Sequence, residues 1–310
     1  MKIWGFFLLV SIVFFVYLHL SMGPAGFDWY IIENVRLPRV LGAVAVGAAL
    51  AFAGALLQTM YRNPLADPYV LGISGVAVLM SVSFYMAWRL FGLQYVGWFA
   101  GSLIGSLAAT VLLLWLARRA SLTIVLLAGV FTAFVSSALL DIVLLYLPPE
   151  ELGYVYLALR GTFAAYPHGG VGFAVAVVVL VAVLATYGLA RWISVYLHGE
   201  EAAAGLGVNT KFINTVGVAS AALLTSLAVA TVGPVGFIGL AAPHIARWIV
   251  GSVRLDRAFF YIVGVGALLA LSSDFVVRFA LPREIPVTPV LSLVGVPVAV
   301  YHLWRYVRRV

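Results

Sequence analysis

His244 and Arg247 are the first residues in this sequence that suggest chemistry. They stand three apart in the segment Gly233-Pro-Val-Gly-Phe-Ile-Gly-Leu-Ala-Ala-Pro-His-Ile-Ala-Arg247. An imidazole can move a proton or bind a metal, and a guanidinium can grip an oxyanion. A membrane-embedded enzyme would join the pair to a carboxylate, for which Asp141 is the candidate. Neither role finds its partners. No second histidine or carboxylate follows at ligand spacing, there is no His-Glu-x-x-His helix, and the chain has no cysteine, so a thiolate metal site is excluded. Histidine and arginine near a helix end suit a simpler task, binding terminal carbonyls or an adjacent loop.

A second cationic group is Arg36-Leu-Pro-Arg39, joined further along by Arg278 and Arg283. Read as a loop before the second helix, Arg36 and Arg39 flank a proline and form a rigid pair of donors. They could pair with carboxylates on a partner or anchor the chain among lipid headgroups. A third segment, His198 to Val208, is the least apolar stretch between two long apolar runs. Glu200 and Glu201 open it, Ala202, Ala203 and Ala204 follow, and Gly205, Leu206 and Gly207 close it. Acidic residues favour a helix start, alanine its interior and glycine its end, which predicts a short surface helix within about 194–210. A phosphate-binding loop is absent, because the only lysines, Lys2 and Lys211, lie outside any Gly-x-x-x-x-Gly-Lys pattern. If ATP drives this protein, another chain must hydrolyse it.

These residues sit in a chain built for lipid. Of 310 residues, 64% are hydrophobic and 9% charged, against roughly 25% charged in soluble domains. The expected fold class is an all-α polytopic membrane protein, with residues 1–310 as one transmembrane domain. The net charge of +7 sets orientation rather than attracting nucleic acid. The apolar run after Lys2 is too long for a signal-peptide core and reads as a retained first helix. With about 20 apolar residues per crossing, ten spans follow, within Ile3–Phe27, Val40–Tyr61, Pro68–Trp88, Leu90–Ala117, Ala120–Leu140, Gly161–Ala190, two parts of Phe212–Ala246 split at Gly233-Pro234, Ala258–Val277 and Ile285–Trp304. Residues Leu152–Leu159 are too short to cross. Both lysines and most arginines then lie on the side of the termini, which predicts N-in, C-in topology and a cytoplasmic helix at Glu200–Gly207 between spans 6 and 7. Gly47, Ala51, Gly54, Gly101 and Gly105 mark faces where helix backbones approach closely. Asp141 and Asp274 lie near outer span ends, whereas ion-coupled transporters carry carboxylates at mid-membrane.

The motifs, taken in order, resemble the FecCD family of iron-chelate and cobalamin-type permease subunits of ABC importers. The matching pieces are Arg36-Leu-Pro-Arg39, the small-residue pattern of Gly47–Gln58, and Arg62-Asn-Pro-Leu-Ala-Asp-Pro68 with its Asn63, Pro64, Asp67 and Pro68. Leu126-Leu-Ala-Gly-Val130 and Glu200-Glu-Ala-Ala with Gly205 and Leu206-Gly207 follow. The last are Gly236-Phe-Ile-Gly-Leu240 with Gly239, Pro243, His244 and Arg247, and Glu284-Ile-Pro-Val287. The resemblance implies a homodimer in the cell membrane, two cytoplasmic ATPase subunits carrying ATP and magnesium, and an extracytoplasmic binding protein. It implies no cofactor in this chain and a metal-chelate cargo such as a ferric siderophore, haem or cobalamin, with an oxyanion such as molybdate as the alternative. It assigns Arg36, Arg39 and Arg278 to binding-protein docking, Glu200 to Gly207 to ATPase coupling, and Ser121, Leu122 and Thr123 to the region of an inner gate. Phe131 and Thr132 and the stretch Leu281-Pro-Arg283 depart from the family pattern, where cavity and docking rim could differ.

Overall fold

The computed structural model describes residues 2–23, 26–69, 71–117, 119, 122–198, 200–207, 209–280 and 285–307. Among them every regular element is helical: α1 Lys2–Ser21, α2 Trp29–Met60, α3 Ile73–Arg89, α4 Gln94–Ala117, α5 Leu122–Leu144, α6 Pro149–Ala158, α7 Gly169–Ile193, α8 Glu200–Gly205, α9 Thr210–Val232, α10 Ile238–Val250, α11 Leu255–Ala280 and α12 Thr288–Val307. Seven described helices, α1, α2, α4, α5, α7, α9 and α11, are long and apolar enough to cross a bilayer, and α3, α10 and the start of α12 are shorter apolar helices.

α2 is the hub. It is apolar all round and almost wholly buried from Pro38 to Met60, the pattern of a helix enclosed by other helices. α7, α9, α10 and α11 pack around it, α3 and α4 form a tight pair, and α4 leans on α9. Small residues permit the close crossings. At the α2–α11 crossing a side chain on Gly47 would collide with the Gly266 carbonyl, and one on Gly266 with the Gly47 carbonyl. Gly105 of α4 meets α3 in the same way, its Cβ position lying 2.6 Å from the Val76 carbonyl oxygen. Without a hydrophobic drive between helices in lipid, such backbone contact supplies the packing energy.

One boundary departs furthest from the sequence expectation. α1 ends at Ser21, and α2 begins at Trp29 rather than at Val40, so Arg36-Leu-Pro-Arg39 is helix and not loop. The Asp28 carboxylate caps this early start by accepting from the Tyr30 (2.9 Å) and Ile31 (3.3 Å) amides. Residues Ile32–Arg36 then form a π-helical turn, and Pro38 falls in the first turn of the α-helical part that follows. There its missing N–H costs little. At the other expected break, α9 stops at Val232, Gly233 takes φ +78° and Phe237 φ +70°, and α10 turns back as a short helix.

Candidate functional sites at the two ends of the bundle

α2 spans 32 residues, on the order of 48 Å at about 1.5 Å per residue, and its two ends carry different machinery. At the amino end, Arg39 forks onto Asp274 of α11, with Nε 3.0 Å from Oδ2 and Nη2 2.8 Å from Oδ1. Asp274 is 1% exposed. His19 of α1 joins them, donating from Nδ1 to the Phe15 carbonyl at 2.8 Å and setting Nε2 3.3 Å from Asp274 Oδ2. Its ring packs edge-on against Phe275 and Phe279. Three helices are thus pinned by one buried carboxylate.

Arg36 is also inside, 1% exposed, donating to the carbonyls of Leu20 and Gly26 at 2.7 Å each. It holds the chain that connects α1 to α2. Arg278 lies half-buried over the Phe279 ring at 4.8 Å, in the second π-helical turn, Val276–Ala280. Both π turns carry an arginine of the expected docking set, and a side chain added at Gly23 would meet both guanidinium groups. The fold therefore gathers Arg36, Arg39 and Arg278 at one end. It gives Arg36 and Arg39 internal partners in place of the open rim pair read from a loop. The signal for this was Asp274, whose pairing with Arg39 across 235 residues no local pattern reveals. Arg283 and Glu284 lie outside the described residues.

At the carboxyl end of α2, Arg62-Asn-Pro-Leu-Ala-Asp-Pro68 is clamped onto α10. Gln58 donates to the Gly239 and Leu240 carbonyls at 3.1 and 3.4 Å, and its Oε1 accepts from Arg247 at 2.8 Å. His244 Nε2 donates to the Pro64 carbonyl at 2.8 Å, the adjacent-loop contact that suits its spacing from Arg247. The loop shapes itself through side chains, with Asn63 Oδ1 accepting from the Leu65 amide and Asp67 Oδ1 from the Tyr69 amide. Gly239 is the contact point of this lock. A Cβ there would lie 2.6 Å from Asp67 Oδ2 and 3.3 Å from Pro68 Cδ. Gly239→Val is therefore expected to destabilise the fold by about 1–3 kcal/mol through overpacking. Thermal unfolding in detergent checks it, and an unchanged midpoint would show that the loop and α10 do not need this approach.

The same end carries the segment after α7. A 3₁₀ turn, Ser194–His198, leads into α8, and Ser194 Oγ accepts from the Leu255 amide at 3.0 Å at the start of α11. Ala203 is fully buried, while Ala202, Ala204, Gly205, Leu206 and Gly207 are exposed. Gly207, at φ +78°, turns the chain, and Asn209 Oδ1 caps α9 by accepting from the Phe212 amide. The side chains of Glu200 and Glu201 lie outside the described residues, as do Ser121 and the side chains of Leu122 and Thr123.

No hydrogen bond or ion pair among the described residues joins His244 or Arg247 to Asp141, which is exposed on α5. Among the described residues no group of three or more His, Asp or Glu could hold a metal ion. The arrangement is one of packed apolar helices with buried polar ties at both ends, that of a multi-pass transport protein of the cell membrane. The chain belongs to the FecCD transport family, whose model matches residues 6–305. It is 36% identical over 293 residues to the hemin transport system permease protein HmuU of Yersinia pestis, covering 91% of this chain and 84% of that one. It is 35% identical over 294 residues to the iron(3+)-hydroxamate import system permease protein FhuB of Bacillus subtilis, covering 92% and 74%. To the vitamin B12 import system permease protein BtuC of Vibrio cholerae it is 31% identical over 315 residues, covering 97% and 92%. A solved inward-facing structure, described as of a metal-chelate type ABC transporter, superposes with TM-score 0.86 at 25% identity, covering 98% of this chain and 100% of that one.

Proposed function

We propose that this chain is the membrane-spanning permease subunit of an ABC importer for a metal chelate, a ferric siderophore, haem or cobalamin, working by alternating access. It crosses the membrane ten times with both termini inside and acts as a homodimer. Two cytoplasmic ATPase subunits, loaded with ATP and magnesium, dock on the face carrying Ala202–Gly207, and a binding protein docks on the opposite face. The observation that carries this reading is the presentation of that segment. It is anchored through Ser194 and Ala203, exposed at Leu206, and lies at the bundle end opposite Arg36, Arg39 and Arg278. Relatives named for siderophore, haem and cobalamin transport support the cargo class. Exposed apolar residues on α12, Leu293, Val296 and Val300, are in keeping with a second copy across a pathway. Gate residues fall near Ser121–Thr123 by family resemblance.

The test is uptake into proteoliposomes holding this chain with its ATPase and binding protein, with ferric chelate, haem, cobalamin and molybdate in competition. Uptake that requires internal ATP and selects one metal chelate is expected. Uptake that ignores ATP and collapses with an ion gradient would establish a secondary transporter. Docking has its own test in Arg278→Glu, because Arg278 is only half-buried whereas Arg36 and Arg39 are buried. Binding-protein association is expected to weaken about tenfold at low salt, with the difference shrinking as salt rises. Unchanged association at low salt would remove Arg278 from the docking face.

A further inference from the structure

A cavity of about 770 Å³ opens between α4 and α7, over α9 as its floor. α4 supplies Val96, Phe99 and Leu103, α7 supplies Val171 and Val175, and Ala230 of α9 lies beneath. Its size falls within the range of about 300–1,000 Å³ typical of ligand pockets. It belongs to neither end site described above. Its walls continue into membrane-facing surface, since Val96 and Val171 are more than half exposed, as are Val177 and Val178 further along α7. Of the polar side chains in its wall, Tyr166 and Thr231 are satisfied internally, and His168 is exposed. Tyr166 donates its hydroxyl to the Gly172 carbonyl at 3.0 Å, and Thr231 donates to the Leu227 and Ala228 carbonyls at 3.1 and 2.9 Å. What remains for a guest is chiefly hydrocarbon wall, with the His168 imidazole beside it. A metal chelate, a polar and often charged cargo, would meet few partners there beyond that one imidazole and would lose its hydration. Empty, the wall would forfeit dispersion contacts along its whole length.

We propose that this cavity holds a phospholipid acyl chain, taken from the bilayer through the gap between α4 and α7, as a structural lipid that seals α9. The inference rests on the membrane setting and not on the cargo or on which face is cytoplasmic.

Trp98 lines the cavity, 8% exposed and edge-on to Tyr85, and so reports on the occupant. The full chain is reconstituted into bilayers of phosphatidylcholine brominated on its acyl chains, a contact quencher. The Trp98 signal is isolated as the difference between the unmodified chain and Trp98→Phe. Quenching of that component at least twofold is expected despite its burial, with loss of most of the quenching in Ala230→Leu, which fills the floor. Mass spectrometry of the detergent-purified chain is expected to find a retained phospholipid that Ala230→Leu loses, while circular dichroism and monodispersity stay unchanged. Absence of quenching in the folded chain, or quenching and retained lipid indifferent to the filling substitution, would overturn the proposal. So would displacement of the Trp98 signal by a ferric chelate or haem, which would make the cavity part of the cargo route. If Ala230→Leu does not fold, Val175→Phe, filling from the α7 wall, takes its place with the same readings.

Discussion

Asp274→Ala is expected to cost about 3–5 kcal/mol of stability, the usual result of leaving a buried charge without its partner. The carboxylate is 1% exposed and takes a two-bond fork from Arg39 of α2, with His19 of α1 3.3 Å away. Removing it takes the buried carboxylate away from Arg39 and cuts the tie between α1, α2 and α11. Denaturant or thermal unfolding in detergent reads the loss. The double variant Arg39→Met with Asp274→Leu is expected to recover most of it, because apolar side chains of similar size often replace a buried pair without loss. If Asp274→Ala unfolds at the midpoint of the unmodified chain, Arg39 is not held inside, and the open docking pair expected from the sequence returns. For the same reason, charge reversal at Arg36 and Arg39 together confounds docking with folding, and Arg278 is the more informative position.

Leu206→Asp is expected to leave folding and membrane insertion intact while abolishing most ATP-coupled uptake. Leu206, in the turn just past α8, is 71% exposed, so no internal contact opposes the change. If it fills a groove on the ATPase, losing a buried apolar anchor weakens association by roughly 2 kcal/mol, about 30-fold. Co-purification of the ATPase and the ratio of transport to hydrolysis are the measurements. Ala203→Pro makes a useful contrast, since Ala203 is fully buried and proline breaks the helix itself. Full coupling by Leu206→Asp would sink the assignment of this segment as the ATPase contact.

The two ends of the molecule differ in how far they could be read in advance. Glu200–Gly205 was legible because its signals are local: acidic start, alanine interior, glycine stop. The turn at Gly233-Pro234 was legible for the same reason. Arg36-Leu-Pro-Arg39 was misread as a loop, because an internal proline is a strong local break and the cap at Asp28 and the π turn at Ile32–Arg36 leave little local trace. The clamp of Gln58, His244 and Arg247 on the 62–68 loop could be anticipated only as a contact with some neighbouring loop. Which loop depends on α2 and α10 packing side by side.

By itself the sequence determined a helical membrane protein, its apolar runs and breaks, and that any ATP hydrolysis driving it would have to come from another chain. Those follow from transfer energies and backbone rules that act over a few residues, or from motifs that are missing. The tertiary structure decided the fate of the charges: Arg39 and Arg36 drawn inside, Arg278 left near the surface, and Leu206 turned out beside a buried Ala203. A buried charge is tolerated only where a partner from elsewhere in the chain meets it, and that meeting exists only once the helices have packed.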